Sequence, residues 1–508
     1  MNLSSFITHH ALHSPEKVAL KNEESLITYH MLENTINKTA NAFLSSGIEK
    51  GDRILSQIGN RFEFVYTYFA AIKCGAIIVP VNPAYTPAEI SYIANDCQPT
   101  IYVCEDAAKG NIPVVQEQSK ELKSACLIDS EGELQNFNDF IEDQPAEFTA
   151  YEAIEDDVCE ILYTSGTTGH PKGAMLTHKG LAGNASTYKD ILHCSADDIC
   201  LISAPLYHAA AQTNCMNTIF TAGGTNYIVP KFSTEKVLKL LEIEKITYFF
   251  GPPSFYILLL NHQNIHQANL SLRVAFTGAA PMPVETHHQW KKVTGIEILE
   301  GYGLTECSPI VCNHRPEDVK KIGSIGRALP GVSVKIVDEL GNNLPDGEVG
   351  ELIVKGPNVM KGYWNNPNLT SHAIQNGWFY TGDFAYRDED GYFYIIDRKK
   401  DMIIRGGLNV YPREVEEVIY SYPAIFEVSV VGVPDPIMGE ELKAFYSLRN
   451  PLDTIDEEEL KNYCKSRLAP YKVPKYYEKI DTLPKTASGK IMKQRLKELS
   501  QPNQSLDN

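Results

Sequence analysis

"YTSGTTGHPKGAMLTH", residues 163–178, places a loop rich in glycine and hydroxyl groups between an apolar run and a stretch that reads as a helix. Gly166 and Gly169 reach positive φ at little steric cost, so successive backbone N–H groups can converge on one point. Thr164, Ser165, Thr167 and Thr168 add short hydroxyl donors, and Lys172 adds a cation. Together these groups suit phosphate oxygens. The spacing departs from G-x-x-x-x-G-K-[ST], which excludes the P-loop of the NTPases.

Outward from this loop, apolar runs alternate with longer amphipathic stretches through the first ~390 residues, the pattern of an α/β fold with mainly parallel sheets. "CEILYTSG" ends a strand in the loop, and "HKGLAGNASTYKDIL" reads as the helix after it. "ITYFFGPPSFYILLL" is a strand, a Gly-Pro-Pro break and a helix start. "FTGAAP" (276–281), "GYGLTE" (301–306) and "YTGD" (380–383) each read as a glycine-centred turn after a strand. Ligand groups thus gather where strands end. From 331 the period falls to two, and "GVSVKIVDELGNNLPDGEVGELIVKG" reads as antiparallel hairpins. After the charged run Asp397–Asp401 comes an α+β unit, with a helix at "PREVEEVIYS" and a strand at "FEVSVVGVP".

The ordered set of four glycine turns, followed by "DRKKDMIIRGG" (397–407) and "PKTASGK" (484–490), resembles the adenylate-forming superfamily of acyl-CoA synthetases, luciferases and nonribosomal adenylation domains. The likeness runs from about residue 10 to 497 and is strongest to bacterial medium- and long-chain fatty-acyl-CoA ligases. It implies a large multi-layer N-terminal domain (1–396) with a small β-barrel-like section, a hinge at 397–400, and a small mobile α+β lid (401–508). It also implies two half-reactions: a carboxylic acid and ATP give acyl-adenylate and pyrophosphate, and CoA then takes the acyl group.

The resemblance implies a role for each matching residue. The 164–172 loop holds the leaving phosphates, and Glu306 holds Mg²⁺ with the Thr305 hydroxyl beside the phosphates. Tyr302 and the Gly278–Ala279–Ala280 backbone form the walls of an adenine slot, with Gly301 and Gly303 flanking the tyrosine. Asp383 takes the ribose hydroxyls with Arg398 assisting. Lys490 bridges the carboxylate and the α-phosphate. Lys400 is the hinge, and Gly406 and Gly407 line the CoA channel, although "RGG" equally fits a plain turn. His208 stands at the mouth of the carboxylate site. Tyr207, Gly303, Pro309 and Ile310 wall an acyl pocket, and Ala209–Ala211 either leave a deep channel or pack a helix. Residues 201–218 contain no acid to pair a substrate ammonium, which disfavours an amino acid.

Composition supports this reading. At 508 residues the chain exceeds one core, and 43% hydrophobic with 22% charged residues is ordinary for a globular protein. The net charge of −18 argues against nucleic acid as a partner. Residues 461–497 nevertheless carry eleven basic and two acidic side chains, either a solvated face or a surface meeting substrate phosphates. The eleven cysteines include no C-x-x-C pair, which points to free thiols in a reducing cytoplasm. Apolar runs fall short of the ~20 residues of a membrane span, so no integral membrane association is expected. An acyl carrier protein remains open as an alternative acceptor, and so does a homodimer. A non-catalytic nucleotide-binding protein would be expected to lack Lys490 or Glu306, and both are present.

Overall fold

A computed structural model describes residues 2–129, 135–164, 171–486 and 490–500. Ser165, Gly166, Thr167, Thr168 and Gly169 of the loop lie outside the described residues.

Two large sheets build the first part of the chain. In one, Ile298–Gly303, Val274–Thr277, Tyr248–Gly251, Ile199–Ile202, Thr225–Ile228 and Val18–Lys21 run parallel in that spatial order, with antiparallel strands at both edges. Tyr248–Gly251 and Val274–Thr277 are buried along their whole length, as expected of parallel strands covered on both faces. In the other, Ser124–Ile128, Ile101–Glu105, Arg53–Gln57, Ile77–Pro80 and Val158–Thr164 run parallel. A third, five-stranded antiparallel sheet includes Ser333–Val337, Gly350–Lys355, Trp378–Arg387 and Phe393–Arg398. The C-terminal unit pairs the long strands Ile425–Asp435 and Gly439–Leu448 and packs the helix Pro412–Tyr420 on them.

Three local expectations change. Within the opening stretch a further strand intervenes: Lys172–Thr177 runs antiparallel to Val158–Thr164, with Lys172 opposite Thr164. The helix begins at His178, where the sequence places it, capped by Thr177, whose hydroxyl accepts from Gly180 N–H at 3.1 Å. Gly301, Tyr302 and Gly303 stay within a strand, and the chain turns after them. "YTGD" lies inside the strand Trp378–Arg387, at a bulge where pairing slips between Glu351–Phe384 and Ile353–Tyr380. Gly382 supplies the φ of +74° that this irregularity needs.

The C-terminal unit is docked on the larger one. Arg413 donates from its backbone N–H to Asp397 Oδ2 (3.0 Å) and from Nη1 to the Ile395 carbonyl (2.6 Å). The Tyr420 and Thr286 hydroxyls lie 3.3 Å apart, and Ile257 joins the C-terminal apolar core. Asp397 and Arg398 belong to a strand of the third sheet, and exposed Lys400 lies between that strand and Ile403–Arg405. No helix among the described residues is long and apolar enough to cross a membrane.

Candidate active site

The two units meet over a cluster of charge. Thr164, at the end of its strand, donates from Oγ1 to Glu306 Oε1 at 3.4 Å. Glu306 lies on the short turn Thr305–Cys307, and its backbone carbonyl accepts from Met360 N–H at 2.8 Å. Tyr363 completes the arrangement: its hydroxyl donates to Glu306 Oε1 at 3.0 Å, and its ring lies 4.9 Å from Lys172 Nζ. Tyr363 sits in "KGYWNNP", where nothing in the local sequence marks it as a site residue. Thr305 is half-buried on the same turn.

A second group forms around Asp383. Its Oδ2 accepts from the Tyr302 hydroxyl at 2.5 Å, and Arg398 Nε stands 3.5 Å from Oδ1. Burial raises the Asp383 carboxyl above its usual range, while Arg398, Tyr302 and Lys490 hold it down. Gly278, Ala279 and Ala280 follow the neighbouring strand, and a Cβ on Gly278 would lie 3.0 Å from the Gly301 carbonyl oxygen. Ala279 is held at φ +70°, a left-handed conformation costly for a residue with a Cβ. That strain invites a function, and its residue type gives no sign of it.

Lys490 connects these groups. The chain on either side of it pairs: Lys485 bridges to Ile491, Thr486 N–H donates to the Lys490 carbonyl at 2.8 Å, and Lys490 N–H donates to Thr486 Oγ1 at 3.2 Å. Burial, and then the charge of Arg398, lower the Lys490 ammonium to about 8 against the upward pull of Asp383 and Glu306. Burial and the Lys490 charge together hold His208 at about 4, so its imidazole is neutral near pH 7. Six of the other ten basic residues of the segment 461–497 behave differently. Lys461, Lys472, Lys475, Lys485, Lys493 and Arg495 form ion pairs with Glu458, Glu414, Asp435, Glu427, Glu416 and Glu498.

The Tyr207 ring lies 4.8 Å from that of His208, and, among the other expected pocket residues, Gly303 pairs with Ile310. Pro309 and Ile310 are buried. A Cβ at Gly303 would fall 2.0 Å from the Pro309 carbonyl oxygen, so only glycine fits this close approach. Gly406 and Gly407 form an exposed two-residue turn in the C-terminal sheet, with Gly406 N–H donating to the Met438 carbonyl at 2.8 Å. Arg405 beside them is committed to Glu441, with Nε 2.8 Å from Oε2. The structure therefore gathers Thr164, Lys172, Tyr302, Glu306, Asp383, Arg398 and Lys490, and leaves the glycine turn within the C-terminal unit.

An α/β platform that supplies Glu306, Asp383, Lys172 and Arg398, under a docked unit that supplies Lys490, defines a nucleotide-handling protein. Residues 7–364 match the family described as AMP-binding enzyme, and residues 414–490 match its C-terminal domain. The chain belongs to this family, and is an AMP-forming acyl-CoA synthetase that uses ATP, Mg²⁺ and CoA to activate a carboxylic acid. It is 36% identical to a long-chain-fatty-acid–CoA ligase of Bacillus subtilis, over 98% of this chain and 94% of the relative. It is 37% identical to a feruloyl-CoA synthase of an Amycolatopsis species, with 97% of each covered. Among solved structures, ATP-bound MatB from Rhodopseudomonas palustris superposes with a TM-score of 0.93 at 34% identity, over 98% of this chain and 99% of that one.

Proposed function

We propose that the acid is a medium- or long-chain fatty acid, activated where Lys490 meets Glu306, Asp383 and Arg398. That convergence of both units on one set of charges carries the assignment of roles. In-line attack of the carboxylate on the α-phosphorus builds negative charge on the transferring and leaving oxygens, so catalysis rests on positioning and electrostatics. Lys490 faces the developing charge, Lys172 and the adjoining loop hold the leaving phosphates, and Asp383 with Arg398 takes the ribose. Tyr302 and the 278–280 backbone enclose the base. Neutral His208 borders the carboxylate without adding a second cation. A single carboxylate with phosphate oxygens suits Mg²⁺, and Glu306, steadied by Tyr363 and Thr164, has that chemistry. When bound, the ion would neutralise phosphate charge.

Lys400 serves as the hinge in this reading, between the units 1–396 and 401–508. Rotation there withdraws Lys490 and brings the Gly406–Gly407 turn to the site for the thiol. Buried, unpaired cysteines agree with a cytoplasmic setting. CoA is the acceptor in this reading. The apolar Ala209 and Ala211 beside His208, and relatives named for long-chain fatty acids, support the choice of acid. The test is pyrophosphate release with ATP and Mg²⁺ across short, long and aromatic acids, with and without CoA. Fatty acids should give the highest kcat/KM; silence across the panel would remove the reading.

The pH profile offers a second test. Because kcat/KM reports ionisations of the free enzyme, adenylation should be flat from pH 6 to 7.5 and fall above about 8 as Lys490 loses its proton. Asp383 raises the Lys490 value, so Asp383→Asn should move that limb to lower pH as well as weaken ATP binding. A limb that stays in place would separate the two groups.

A further inference from the structure

One buried polar cluster has no part in the chemistry above. Glu160, Gln212, Tyr68 and Asn217 are all fully or almost fully buried where the strand Val158–Thr164, the π-helical turn Ala210–Asn217 and the helix Phe62–Lys73 meet. Glu160 Oε2 accepts from the Tyr68 hydroxyl at 3.2 Å. Glu160 Oε1, both amide atoms of Gln212 and both of Asn217 lack a formed hydrogen bond among the described residues. Gln212 stands beside the carboxyl and eases its ionisation, yet at a geometry that satisfies neither amide atom. Buried polar groups normally find partners, and those that do not call for a reason.

Two lines of chain connect this cluster to the site. Side chains two apart on a strand share a face, so Glu160 lies on the face of Thr164, which donates to Glu306. Gln212 N–H donates to the His208 carbonyl at 3.2 Å, placing Gln212 one helical turn beyond the residue that feels Lys490. Both lines start at the reacting groups and converge on Glu160 and Gln212, with only Ala209, Ala210 and Ala211 between the histidine and the glutamine.

We propose that Glu160 and Gln212 form a polar floor to the acyl site, selecting acids whose far end carries a hydrogen-bonding group, such as a hydroxyl, over plain alkyl chains of equal length. The inference rests on the reading that the acid lies beside His208. A carboxyl and an amide offer donors and acceptors that a hydroxyl can match and a methyl cannot. Burial pushes the Glu160 carboxyl up to about 8, so near pH 7 it is mostly protonated and can donate as well as accept. Sites that hydrogen-bond a substrate hydroxyl reject the analogue lacking it more strongly than apolar pockets reject an extra methylene.

The test measures kcat/KM for pyrophosphate release by the full chain with ω-hydroxy acids, each paired with the straight-chain acid one carbon longer. At the length that reaches the floor, the hydroxy acid should be preferred by at least about tenfold. Gln212→Leu, alone and with Glu160→Leu, should lower that ratio about tenfold, and thermal melting of each variant monitors the fold. A wild-type ratio near one at every length would overturn the floor and leave a buried water as the partner of these groups. An unchanged ratio in folded variants would do the same. If no acid in either series releases pyrophosphate, the assignment of a fatty acid fails first, and the floor with it.

Discussion

Lys490→Ala should lower adenylation, followed by pyrophosphate exchange, by about a thousandfold, the upper range for losing one preorganised charge aimed at a transition state. The same variant should still form acyl-CoA from supplied acyl-adenylate at close to the wild-type rate, because the charge it removes serves the first half-reaction. The structure supports the first half: the Lys490 ammonium is half-buried among Arg398, Asp383 and Glu306, the groups assigned to the nucleotide and its metal. Backbone contacts hold the flanking chain, Lys485 with Ile491 and Thr486 N–H with the Lys490 carbonyl, so alanine keeps them. Arginine keeps the charge but replaces a compact ammonium with a planar fork, and should recover only part of the rate. Unimpaired exchange in the alanine variant would remove Lys490 from the chemistry. Equal loss in both half-reactions would make it a structural residue of the lid.

The candidate site was legible through its ordered glycine-rich motifs, and the role of each residue came from the resemblance those motifs carry. Strands ending in small residues stand out in a linear scan, whereas the lysine after "TASG" and the aspartate in "YTGD" take their roles from the resemblance that the ordered set of motifs carries. Backbone conformation was harder to read where distant partners decide it. Gly301, Gly303 and Gly382 look like turn residues, yet each lies inside a strand, because Asn313, Ile310 and Glu351 pair with or bond to that backbone from elsewhere in the chain. The strand Lys172–Thr177 was missed for a similar reason: "KGAMLT" can continue toward the following helix until Val158–Thr164 supplies its ladder. Tyr363 and Glu160 were invisible for the opposite cause. An aromatic residue and a lone acid in an apolar run carry no local signal, and each gains meaning only from a partner 57 or 92 residues away.

Glu306→Gln isolates charge from shape and should be the second most damaging substitution. Glutamine keeps an oxygen that can accept from Tyr363 and Thr164, so the two bonds that hold residue 306 survive. The negative charge is lost, and a hard dication favours carboxylate over amide oxygen. The expected result is a fall of about a hundredfold in kcat/KM for ATP. The Mg²⁺ concentration for half-maximal rate should rise with it. Because Glu306 also raises the Lys490 ammonium, the alkaline limb near pH 8 should move to lower pH in the same variant. Tyr363→Phe provides the graded control: it removes one hydrogen bond to the carboxylate but no charge, and losing such a supporting contact costs about ten- to a hundredfold in metal affinity. A Glu306→Gln enzyme with wild-type Mg²⁺ dependence but slower turnover would place the metal elsewhere and leave Glu306 acting only on Lys490. Loss of Mg²⁺ response with the alkaline limb unmoved would instead tie Glu306 to the metal and leave Asp383 as the main carboxylate partner of the lysine.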